Sequence, residues 1–102
     1  MYRPRVDAER HRKAAIERAV EGDGKSSLEL RRAAFANKDL PATISALIDK
    51  VVNHAYRITD EDLVAVKQHF SEDEVFELVL CGAYGQADRQ LAAARAAISE
   101  VG

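Results

Sequence analysis

A chain of 102 residues, 47% hydrophobic and 31% charged, suits one globular domain and is too apolar for disorder. A net charge of -2 gives no bias toward nucleic acid, and no apolar run approaches the length of a membrane span. One cysteine, Cys81, excludes an intramolecular disulfide and fits a reducing compartment. The start, MYRPRVDAERHRK, lacks the apolar segment of a secretory signal, so a cytoplasmic protein is expected.

The pattern is helical throughout. Prolines occur only at Pro4 and Pro41, and no segment sustains period-two alternation. A first helix is expected over Val6 to Glu21, with a narrow apolar face (Val6, Ile16, Ala19, Val20) and Glu9 four residues before Lys13. Arg3, Arg5, Arg10, Arg12 and Lys13 are basic, but Asp7, Glu9 and Glu17 are mixed among them, as on a solvated helix face. Gly22-Asp23-Gly24 is a turn. Ser26 to Glu29 has capping-box spacing and opens a second helix, which Asn37-Lys38-Asp39 ends.

Pro41 suits the first turn of a third helix. Ile44, Leu47, Ile48, Val51, Ala55 and Ile58 follow the 3.6-residue period, which predicts one helix through Ile58 with His54 at the edge of its apolar stripe. Thr59 caps the next helix, followed by Asp60, Glu61 and Asp62 at the positive end of its dipole. Leu63, Val64 and Val66 are its expected buried side. Ser71 to Glu74 is another capping box, and the helix it opens is apolar nearly all round through Tyr84. Such a helix is central in its domain or lies at a subunit interface. The interface residues expected on it are Val75, Phe76, Val79, Leu80 and Tyr84. Gly82 and Gly85 mark close helix packing or a bend. The alanine-rich stretch from Leu91 to Ile98 continues the helix.

Arg32-Ala-Ala-Phe35, the run from His54 to Asp62, Ser71 to Glu77, and Gly85 followed by Arg89 and Leu91 together carry a resemblance. From Arg32 to its end the chain resembles a short branch of the alkyl hydroperoxidase D-like, carboxymuconolactone decarboxylase-like superfamily. The resemblance implies an all-α helical bundle of about five helices that assembles into dimers, trimers or larger rings. The length makes residues 1–102 one expected domain, with 26–102 as the hydroperoxidase D-like core and 1–25, outside the resemblance, as a helix and turn free to pack on a neighbouring subunit. Thiol enzymes of that family carry a Cys-x-x-Cys followed by a histidine, so that one thiolate attacks and the second resolves. The corresponding slot falls near His54 to Arg57, and the following histidine near Glu61. Cys81 lies downstream and is the only cysteine, so intramolecular dithiol chemistry is excluded by composition.

Two readings follow from this gap. In the first, the chain is an oligomeric accessory or interaction protein that binds itself or a partner through the Val75–Tyr84 helix. In the second, it is an enzyme acting on a small lactone, keto acid or peroxide, with His54 as general base and Tyr56 and Glu61 assisting. These three residues also have a structural explanation, since first-turn acids serve the helix dipole and His54 edges a core stripe. A third, weaker reading makes Cys81 a redox thiol acting across subunits; its apolar neighbours Val79 and Leu80 argue for an inert buried side chain. His11, His54 and His69 show no metal spacing, so neither metal nor cofactor is expected.

Overall fold

The computed structural model describes residues 4–101, and side chains from Glu9 to Glu100. Arg3 and the side chains of Pro4, Arg5, Val6 and Asp7, named above, lie outside the described residues. Five α-helices follow one another: α1 (Pro4–Glu21), α2 (Leu28–Ala36), α3 (Ala42–Asn53), α4 (Asp60–Lys67) and α5 (Glu72–Val101). A one-turn 3-10 helix (Ala55–Arg57) stands between α3 and α4. The fold is all-α, as the periodicity predicts, with no strand among the described residues.

The core gathers on one side of α5. Leu78 and Cys81 meet Ala34 of α2, Ile44, Leu47 and Ile48 of α3, Val66 of α4 and Val20 of α1. α5 packs most extensively against α2. Both helix glycines are contact points rather than bends. A Cβ on Gly82 would stand 3.2 Å from Ile48 Cγ2, and one on Gly85 would overlap the Phe35 carbonyl. α5 runs unbroken through both.

The caps at the start of α4 and α5 form as expected. The Thr59 side chain accepts from the Asp62 amide, while the Asp62 carboxylate accepts from the Thr59 amide at 2.9 Å. Ser71 and Glu74 do the same, at 3.2 and 3.0 Å. α2 ends on Asn37, whose φ of 50° is a left-handed conformation that asparagine tolerates.

Four expectations are corrected. Ser26 does not cap α2: Ser27 does, accepting from the Leu30 amide at 3.1 Å. Ser26 turns inward because a carboxylate on α5 needs donors there. The third helix stops at Asn53, since His54 (φ −147°, ψ 53°) leaves helical geometry. The chain has to become extended by Thr59 to cap α4, so Ala55 is exposed and Ile58 packs on the core from outside the helix. Val64 is 59% exposed, because α4 is only eight residues long and reaches the core through Val66. Val75, expected at an interface, is 5% exposed within this single chain, on the side of α5 that faces the core.

Candidate functional site

The sequence singles out the segment from His54 to Glu61. Tyr56 lies on the exposed 3-10 turn and His54 immediately before it, with ring centroids 6.0 Å apart and planes nearly perpendicular at 87°. Tyr56 is 79% exposed, and the Arg57 guanidinium sits 5.6 Å from its ring centroid. These are edge-to-face and cation–π contacts on a solvated surface. Glu61 stands apart from them on the first turn of α4. It lines a groove of about 330 Å³ between α3 and α4, with Ala46, Ala65 and His69. Among the described residues no hydrogen bond joins His54 to Tyr56 or Glu61. The two rings stand together at the exposed turn, while Glu61 lies in a separate groove. The firm polar tie in this region is the Lys50 ammonium, which donates to both Asp62 oxygens at 2.9 and 2.8 Å. That bond, followed by the Thr59 amide, holds the Asp62 carboxyl below its ordinary pKa.

A second group gathers where α1, α2 and α5 meet. The Glu77 carboxylate accepts from the Lys25 amide at 2.7 Å, and from the Ser26 amide and hydroxyl at 2.8 and 2.7 Å. Burial opposes its ionisation most strongly. The Ser26 hydroxyl and the two amides together outweigh burial, with help from Arg31, and the pKa is lowered. Arg31, 5% exposed, donates through Nη1 to the carbonyls of Ala19 and Gly22 at the end of α1. Cys81 is wholly buried, and its thiol donates to the Ala19 carbonyl at 3.3 Å. Burial pushes the thiol up to about 11, with Arg31 opposing and Glu77 adding. A thiol so placed is neutral near pH 7 and out of reach of a solution oxidant. The group holds helices together, and sequence reading missed two of its members. Glu77 is the one acid inside the apolar run from Val75 to Tyr84, and that interruption was the available signal. Arg31 lies three residues before the buried Ala34, on the same helix face.

The third feature is the solvent side of α5. Of the five expected interface residues, Val75 belongs to the core and Val79 packs against it. Phe76 remains 66% exposed, and Leu80 and Tyr84 are half-buried. Leu80 and Tyr84 also line a shallow groove with Ala15, Arg18 and Ala19 of α1. Phe76 is thus an apolar ring left two-thirds in water on a helix whose opposite side closes the core; Ile98, farther along α5, and Val64 of α4 are also exposed. Among the described residues no three His, Cys, Asp or Glu side chains stand together as metal ligands. No helix among them is long and apolar enough to cross a membrane. Comparison with protein-family models, curated proteins and solved structures finds no match to this chain.

Proposed function

We propose that this chain is an oligomeric accessory or interaction protein, a relative of the hydroperoxidase D-like fold without the Cys-x-x-Cys pair, that binds copies of itself through the open face of α5. The observation that carries this reading is Phe76. It is 66% exposed, one turn from Leu80, on a helix that has already used its opposite side to close the core. Burying such a ring is worth on the order of 2 kcal/mol, and a second copy supplies the apolar surface to bury it. The buried, neutral Cys81 thiol supports a role without redox chemistry. The test is sedimentation velocity of the purified protein at micromolar concentration. A defined oligomer is expected, and a compact monomer across the whole concentration range overturns the reading.

A further inference from the structure

We infer that α5 pairs with α5 of a second copy in antiparallel orientation, about a twofold axis crossing between Leu80 and Ala83. This rests on the self-association proposed above and specifies its geometry. α5 is one continuous helix of 30 residues. Leu78, Cys81, Gly82 and Gly85 mark its buried side. On the opposite side, Phe76, Leu80, Ala83 and Ala87 recur at alternating spacings of four and three. That is the 3.5-residue repeat of a coiled-coil seam, and Phe76, Ala83 and Ala87 are exposed.

The order of sizes along the seam selects the orientation. Large side chains come first and small ones last. A parallel pair would crowd Phe76 against Phe76 of the partner subunit and leave a void between alanines. An antiparallel pair places Phe76 over Ala87 of the partner subunit and Leu80 over Ala83 of the partner subunit. Each large residue then meets a small one, and the helix axes can approach closely. At the ends of the seam Asp73 faces Gln90 of the partner subunit, an acceptor opposite a donor.

The exposed area fits a dimer of ordinary size. A folded monomer of 11.3 kDa exposes about 5,700 Å² by the surface scaling of globular proteins, whereas this chain exposes 7217 Å². The surplus, about 1,500 Å², is spread over an elongated chain, 50 × 30 × 22 Å, and exceeds the roughly 800 Å² that each partner gives to a standard interface. The radius of gyration is 15.4 Å, against about 13 Å for a compact domain of this length.

The experiment measures orientation and complementarity separately. A spin label on Ala96→Cys sits on the exposed part of α5 away from the seam, while buried Cys81 stays unlabelled. Antiparallel pairing places the two labels about 45–50 Å apart, and parallel pairing less than about 30 Å, from the helical rise and interaxial spacing. Phe76→Ala is expected to weaken association at least tenfold, and adding Ala87→Phe in the same chain to restore most of it. Circular dichroism melts of each variant report whether the protomer stays folded; both positions are exposed, so it should. A dimer with labels under about 30 Å apart, or one indifferent to Phe76→Ala, overturns the seam while leaving self-association standing. A monomeric parent protein overturns both.

Discussion

The Glu77 carboxylate binds the backbone amide and the hydroxyl of Ser26 with the same oxygen, at 2.8 and 2.7 Å, fifty-one residues away in sequence. With the Lys25 amide on its other oxygen, it fixes the α1–α2 turn to α5. Glu77→Gln keeps the volume but turns an N–H toward backbone donors. The expected loss is about 2 kcal/mol, or a drop in Tm of roughly 10 °C, read by thermal denaturation.

The same contact makes stability depend on pH. The folded pKa of Glu77 lies below its ordinary value of 4.5, so the unfolded chain takes up this proton first as pH falls. Stability from Glu77 is complete above about pH 4.5 and drains away as pH drops through the folded value. Ser26→Ala, which removes one donor, is expected to cost about 1.5–3 kcal/mol at pH 7 and progressively less in acid. Ser27→Ala removes only the α2 cap, at a cost of about 1 kcal/mol that Glu77 protonation leaves unchanged. Denaturant titrations at several pH values separate the two serines. Parallel pH profiles for both variants would contradict this assignment.

The glycines of α5 should differ sharply. Gly85→Ala forces a methyl into the Phe35 carbonyl, and backbone cannot step aside. A loss of about 3 kcal/mol or more is expected. Gly82→Ala meets the flexible Ile48 side chain at 3.2 Å and gains helix propensity of up to about 1 kcal/mol, so it should be nearly neutral. Urea midpoints of the two variants decide the matter, and equal losses would show that α5 and α2 are not as close as described.

Cys81 should resist thiol reagents in the folded protein and react only on unfolding, because it is wholly buried with its pKa raised to about 11. Labelling rates measured across a urea transition should track the unfolded fraction. Rapid modification in native buffer would place the thiol at the surface.

Arg31→Met should cost about 2–4 kcal/mol, since it strips the donor from two carbonyls at the end of α1. Arg31→Lys should recover little, because a single ammonium cannot reproduce the planar guanidinium fork. Chemical denaturation of the two variants tests this; full recovery by lysine would mean that charge alone matters there.

Local signals predicted most of this architecture. The serine, threonine and acid spacings at Thr59 and Ser71 specify helix starts whose partners lie within three residues, and both form. What required the third dimension was the inward turn of Ser26. Capping-box spacing favours Ser26, with Glu29 three residues on, and only Glu77, far along the chain, draws Ser26 inward and leaves the cap to Ser27. The break at His54 was likewise hidden, because Ala55 and Ile58 continue the helical period although the backbone does not. Burial of Arg31 was masked by its chemistry, since a periodicity argument assigns arginine to solvent. At the expected site, sequence placed His54, Tyr56 and Glu61 near one another along the chain. The 3-10 turn puts the two rings on an open surface and leaves Glu61 in a separate groove.

The attachment of α1 changes in kind along its length. Its last turn is held by Arg31 and Cys81 through backbone carbonyls inside the protein. Farther toward its start the described cross-links to α5 are Arg12 with Asp88 and Arg95 with Glu9, between partly exposed side chains. Surface ion pairs hold weakly and are screened by salt, whereas buried hydrogen bonds are not. Amide hydrogen exchange along α1 should therefore form a gradient, slow near Ala19 and faster toward Glu9, and added salt should steepen it.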